Sequence, residues 1–117
     1  MKKIYYLSTC DTCKRIIGEL NNGKGFELQD IKTDKITPEQ IDWLKEKAGS
    51  YEALFSRVAL KYRSMGLHQK QLNEMDYRNL ILEEYTFLKR PVIIMDDAIF
   101  IGNAKKTVEA AKAKLKT

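Results

Sequence analysis

The chain has 117 residues, room for one domain with a hydrophobic core and too little for two of ordinary size. Apolar residues make up 44% and charged residues 32%, with 6 Gly and 2 Pro, which excludes collagenous, Pro-rich and low-complexity disordered chains. No apolar run is longer than that from Val92 to Met95, far short of the roughly 20 residues that a membrane-spanning helix needs, and the basic start MKKIYYLSTC lacks the long apolar core of a leader, so a cytoplasmic protein is expected. The net charge of +5 is concentrated at one end: residues 104 to 117 alone supply +4. There Ala104, Val108, Ala111 and Leu115 recur at helical spacing and no aromatic residue interleaves with the lysines, which reads as a docked helix with a solvated lysine face rather than a nucleic-acid surface.

In chain order, Ile4 to Leu7 form a β-branched and aromatic run that stops at Ser8 and Thr9, a first strand. Cys13, Ile16, Ile17 and Leu20 then step by three and four, predicting a helix that Asn21, Asn22 and Gly23 end. Phe26, Leu28 and Ile31 suggest a second strand, and the short connections of this βαβ unit predict that it runs parallel to the first. Thr37, Pro38 and Gln40 fit N-cap, first helical residue and capping-box partner of a helix with Ile41, Leu44 and Ala48 on one face and Gly49 at its end. Ser50 and Ser56 look like caps of two shorter helices, the second ending near Gly66. A further helix is expected from about Asn73 to Glu84, burying Tyr77, Leu80, Ile81 and Tyr85. After Pro91, Val92 to Met95 and Ala98 to Ile101 are two strands too close for a crossover and so a hairpin through Asp96 and Asp97.

The chain's two cysteines stand at Cys10-Asp11-Thr12-Cys13, where the first strand meets the first helix. Residues three apart share a helix face, so the sulfurs can come within disulfide reach. Cys10 falls at the helix N-terminus, where free N–H groups and the macrodipole favour an anion and lower a thiol pKa, which predicts a thiolate nucleophile. Zinc needs about four ligands, and beyond this pair the chain offers only His68. A structural disulfide fits a reducing compartment poorly, and so short a loop would constrain the unfolded chain little. Two inert buried cysteines are the remaining alternative to redox or nucleophilic chemistry.

A CxxC at a strand-to-helix turn inside a βαβ unit, followed later by a Pro-initiated ββα unit, resembles a thioredoxin-type fold. The strings YYLSTCDTCKR, LFSRVALKYRSMGL and FLKRPVIIMDDAIFIGN together resemble the ArsC/Spx family of arsenate reductases and related proteins, over essentially the whole chain. The resemblance implies an α/β, thioredoxin-like domain with a four-stranded mixed sheet, built from residues 1 to 35 and 86 to 117, with a helical insertion over about 36 to 85. It makes Cys10 the nucleophile, Cys13 a second redox-active thiol, Arg90 the oxyanion-binding arginine and Pro91 a cis proline. Thr12 would contribute to oxyanion binding. Arg57 and Arg63 are the two positions able to supply a second arginine, Arg57 being preferred. Arsenate reductases that use glutathione and glutaredoxin have a further arginine after the final hairpin, where this chain reads Ile101-Gly102-Asn103-Ala104-Lys105, a stretch closer to the Spx-like branches. Spx-type regulators also carry the full cysteine pair.

These readings lead to a thiol-dependent reductase of a small oxyanion such as arsenate, with no bound cofactor or metal and with glutathione, glutaredoxin or thioredoxin as reductant. The alternatives are an Spx-like redox-sensing regulator that binds the RNA polymerase α subunit and a glutaredoxin-like thiol exchanger. A monomer with no direct nucleic-acid or membrane contact is expected.

Overall fold

The computed structural model describes residues 1–117. Its chain folds as two compact units, one formed by Met1–Asp34 with Arg90–Thr117 and the other by Lys35–Lys89.

The first unit is a four-stranded mixed sheet in the order β2-β1-β3-β4. Strand β1 (Lys2–Tyr6) leads to helix α1 (Asp11–Glu19) and then to β2 (Glu27–Asp30), which pairs parallel to β1 with Ile4 opposite Leu28 and Tyr6 opposite Asp30. This is the expected βαβ unit. Strand β3 (Val92–Met95) runs antiparallel to β1, with Tyr5 opposite Val92, and turns through Asp96 at φ 55° into β4 (Ala98–Ile101), the expected hairpin. All four residues of β3 are buried, as expected of a strand read from a continuous apolar run. Ile4, Ile93 and Met95 meet Ile16 and Leu20 of α1 and Val108 and Ala111 of the terminal helix α5 (Lys105–Leu115) in one core. Burying each of the larger of these side chains contributes about 1.5–3 kcal/mol. The lysine-rich tail is thus a docked helix, with the difference that Ala104 is its exposed N-cap and not part of the buried stripe.

Strand β2 turns its apolar residue outward. Leu28 is 43% exposed, whereas Gln29 is buried and donates from Nε2 to the Asp34 carbonyl at 3.0 Å. The period of two puts neighbouring residues on opposite faces, and at this edge the buried position carries the amide. Leu28 instead lies against Gly23, where a Cβ would come within 3.3–3.6 Å of Ile17 and Leu28 methyl carbons; Gly23 also has φ +79°. A side chain there would meet both strain and crowding.

In the second unit, α2 (Pro38–Ala48) begins with the expected Thr37–Gln40 capping box and ends at Gly49 with φ 96°. Helix α4 (Glu74–Glu83) has its own box, Asn73 with Asp76. It buries Tyr77 and Ile81, while Leu80 and Tyr85 are only half-buried. Ser50 does accept a hydrogen bond from the Ala53 N–H at 3.1 Å, at the start of a 3-10 turn. Ser56 is not a cap: it is buried, its N–H donates to the Phe87 carbonyl at 2.7 Å, and α3 (Leu60–Ser64) starts only after Ala59. The extended pairing of Phe55 with Leu88 overrides the capping preference of the serine. Phe55 itself lies against Phe87, Tyr77 and Tyr62, at centroid separations of 5.1, 4.9 and 6.0 Å.

Helices α2 and α4 are clasped by Asp42, whose carboxylate accepts from Arg78 Nε at 2.8 Å, from Arg78 Nη2 at 3.2 Å and from the Tyr51 hydroxyl at 2.6 Å. These bonds, Arg78 first, bring the Asp42 pKa down to about 2. A carboxylate depressed in the folded state stabilises it above the unfolded value near 3.9 and loses that contribution as pH falls through the folded value. Acid titration followed by the fluorescence of Trp43 is therefore expected to show a loosening between about pH 4 and pH 2 that is absent from Asp42→Asn, whose stability at neutral pH is lower.

Candidate functional site

The site is built where β1 gives way to α1. The Cys10 N–H donates to the Leu7 carbonyl at 3.0 Å, closing a turn with Ser8 and Thr9 at its centre, and Cys10 is the N-cap of α1 with extended backbone (φ −101°, ψ 112°). Its half-exposed thiol stands at the unpaired N–H groups of the first helical turn. Burial disfavours its charge, but the backbone N–H and thiol of Cys13, the N–H of Thr12 and the positive charge of Arg90 outweigh that and lower its pKa below the ordinary value.

Cys13 behaves oppositely. It is fully buried beside Ile16 on the inward face of α1. Burial, together with the neighbouring Cys10 sulfur, pushes its pKa up to about 11 although the Leu7 backbone and Arg90 act the other way. Both thiols are free and in hydrogen-bond contact with each other. The pair is therefore one thiol biased to the anion and one held neutral as its hydrogen-bond donor.

Arg90 reaches this turn from the entrance of β3. The Arg90–Pro91 bond is cis, as expected, and Pro91 is buried just before β3. The guanidinium is half-buried with Nε excluded from solvent, and its field stabilises both sulfurs as anions. The Pro91 carbonyl accepts from the Gly102 N–H at 2.9 Å, which ties the turn after β4 to the same strand entrance. The first unit thus brings together Cys10, Thr12, Cys13, Arg90 and Pro91.

Arg57 and Arg63 belong to the second unit. Arg57 Nη2 donates to Glu52 at 2.7 Å and to the Tyr77 hydroxyl at 2.9 Å, and the guanidinium lies over the Tyr77 ring at 5.5 Å. Arg63 is exposed on α3. Nowhere do three His, Cys, Asp or Glu side chains gather as a metal site would need.

One contact at the turn is absent from the sequence reading. The Ser8 hydroxyl donates to Asp30 Oδ2 and the Ser8 N–H reaches Oδ1 at 3.4 Å. An acid closing a strand predicted to lie parallel to the first, level with a serine just beyond it, is the signal that could have found this pair.

A family model described as the ArsC family matches residues 5–111. An uncharacterized protein of Haemophilus influenzae is 24% identical over 115 residues, which covers 97% of this chain and 100% of that protein. Among solved structures, a YffB protein superposes with a TM-score of 0.82 at 24% identity, covering 98% of this chain and 99% of that one. An arsenate reductase from Vibrio cholerae superposes at 0.78 with 17% identity, covering 93% and 95%.

The thiol geometry has two measurable outcomes. Under limiting iodoacetamide at neutral pH, site-resolved mass spectrometry is expected to find Cys10 alkylated much faster than Cys13; equal labelling would contradict the asymmetry. Arg90→Ala should move the pH midpoint of Cys10 alkylation upward, and Arg90→Lys should restore more of the charge than of the planar donor geometry.

Proposed function

The chain belongs to the ArsC family, and on that premise we propose that it is a thiol-dependent reductase whose substrate is a small tetrahedral oxyanion such as arsenate. The supporting observation is the thiol asymmetry: a half-exposed Cys10 biased to thiolate by the start of α1 and by Arg90, beside a buried and neutral Cys13.

The Cys10 thiolate attacks the pentavalent centre and a protonated oxygen leaves as water, giving a covalent thiol adduct. Arg90 offers planar donors to the remaining oxygens, assisted by the first-turn N–H groups and by Thr12. A second thiol then attacks the Cys10 sulfur. The S–centre bond breaks with its electron pair on the former substrate, which departs reduced by two electrons, and Cys10 is left in a disulfide. Cys13 is placed to supply that thiol, and glutathione is the external equivalent. Two further electrons from glutathione, glutaredoxin or thioredoxin restore the free pair.

A second reading, an Spx-like redox switch that binds the RNA polymerase α subunit, draws on the presence of Cys13 and on the lack of arginine between Ile101 and Lys105. A nicotinamide-coupled assay with arsenate and each of the three reductants separates the two. The reductase reading expects arsenate-dependent turnover that Cys10→Ser abolishes and that Arg90→Ala lowers by about a hundredfold in kcat/KM. No turnover with any reductant, together with oxidation-dependent capture of the polymerase subunit, would favour the switch. After mild peroxide, intact mass is expected to show loss of two hydrogens; a glutathione-sized addition persisting in excess glutathione would exclude Cys13 as the resolving thiol.

A further inference from the structure

Strands β1 and β2 are parallel, so both leave the sheet at the same end, and their outgoing turns meet there. After β1 comes the turn Leu7–Cys10 and after β2 the turn over residues 30 to 34. The carboxylate of Asp30 joins them. Its Oδ2 accepts from the Ser8 hydroxyl, while Oδ1 takes the Ser8 N–H at 3.4 Å and the Lys32 N–H at 3.2 Å. The Asp30 main chain is committed as well: its carbonyl accepts from the Thr33 and Asp34 N–H groups at 3.2 and 2.7 Å. Beside it, Ile31 N–H donates to the Tyr6 carbonyl at 3.0 Å, the last rung before the two chains part. Asp30 is therefore fixed by the sheet on one side and by its own turn on the other, and Ser8 is the residue of the Cys10 turn that its carboxylate grips.

We propose that Asp30 is a positioning residue for Cys10, acting through Ser8 to set the turn that aims the Cys10 sulfur at the first-turn N–H groups of α1 and at Arg90. The inference rests on Cys10 being the reactive thiol, and it adds the group that keeps it so. Ser8 sits two residues before Cys10 in a turn that the backbone bond from Cys10 N–H to the Leu7 carbonyl closes. The influences that favour the Cys10 anion are short-ranged hydrogen bonds and one nearby charge. The hydrogen bonds weaken steeply when distance or angle is lost. Holding the turn from outside keeps the sulfur in register with all of them. The grip is made with a charged acceptor, the stronger kind of hydrogen bond, and it holds the Asp30 carboxyl below the usual carboxylate range, the Ser8 hydroxyl being the chief cause.

The test is the rate of Cys10 alkylation against pH, read by peptide mass spectrometry in the full chain, with circular dichroism confirming that each variant is folded. Ser8→Ala removes the hydroxyl without changing any charge. Its pH midpoint for Cys10 is expected to rise, with the rate at pH 7 falling about fivefold, and Ser8→Thr, which keeps a hydroxyl, should recover most of the loss. Asp30→Asn also removes a negative charge, so it is read as a cycle: its effect on the Cys10 rate should be markedly smaller in the Ser8→Ala background than alone, because only the part carried through Ser8 disappears there. A folded Ser8→Ala protein with an unmoved midpoint, or an Asp30→Asn effect of the same size in both backgrounds, would overturn the inference even if stability drops. A wild-type Cys10 no faster than Cys13 would instead overturn the reading of Cys10 as the reactive thiol, before any variant is made.

Discussion

The antiparallel pairing of β1 with β3 is the constraint on which the site depends. By setting Tyr5 opposite Val92, it brings the exit of one strand to the entrance of the other, and so puts Cys10 and Arg90, 80 positions apart in sequence, at one end of the sheet. Parallel pairing of β1 with β2 adds the exit of β2 to the same end. A purely antiparallel meander would scatter these three chain segments between both ends. The cost is that β3 lies between two paired neighbours and must be apolar on both faces, and Val92 to Met95 meet that demand. Cys10, Arg90 and Asp30 all hang from strands whose positions are set by this central core, in keeping with the general advantage of building a site on rigid elements.

Two thiols one helical turn apart are driven in opposite directions by position alone. Cys10 stands outside the first turn, where the helix presents unpaired donors. Cys13 is three residues on, and the same rotation that gives it a shared face with Cys10 points it into the core with Ile16 and Leu20. Each pKa unit of separation is worth about 1.4 kcal/mol in the relative ease of ionisation. A neutral Cys13 donating to the Cys10 sulfur strengthens the anion it faces. In the proposed cycle, attack by Cys13 needs its proton removed and the sulfur brought out of its buried setting, and covalent occupation of Cys10 favours both because it removes the anion that raises the Cys13 pKa.

Much of this architecture is legible in the sequence because it is local. The capping box at Thr37, the hairpin at Asp96 and the helix entrance at Cys10 are each set within a few residues, and the apolar spacing of Ile16, Leu20, Val108 and Ala111 reports the core directly. The features that escape a sequence reading depend on partners far along the chain. Ser56 has the chemistry of a cap, but its backbone N–H is paired with the Phe87 carbonyl in extended structure and no helix starts there. Gln29 takes the inward position of an edge strand because its amide finds the Asp34 carbonyl there, and Leu28 is left to cover a glycine. Arg90 and Pro91 carry weight in the sequence only through the family resemblance, since a lysine-arginine-proline string alone says nothing of the groups it will face. The Ser8–Asp30 contact spans 22 residues, and only the strand register brings its two halves together.

An anionic anchor beside a thiolate looks self-defeating, because a like charge raises a thiol pKa. The balance of influences on Cys10 resolves the conflict. The Asp30 carboxylate is stabilised by the Ser8 hydroxyl and N–H and by the Lys32 N–H, neutral donors that must be fixed in any case, and its charge is not among the leading influences on the Cys10 thiol. Arg90, by contrast, projects a charge that acts on both sulfurs. In the proposed arrangement, positioning falls to an anion held by neutral donors and activation to a cation whose charge acts on both sulfurs. Exchanging the two roles would put a carboxylate where Arg90 stands, and the like charge would raise the Cys10 pKa instead of lowering it.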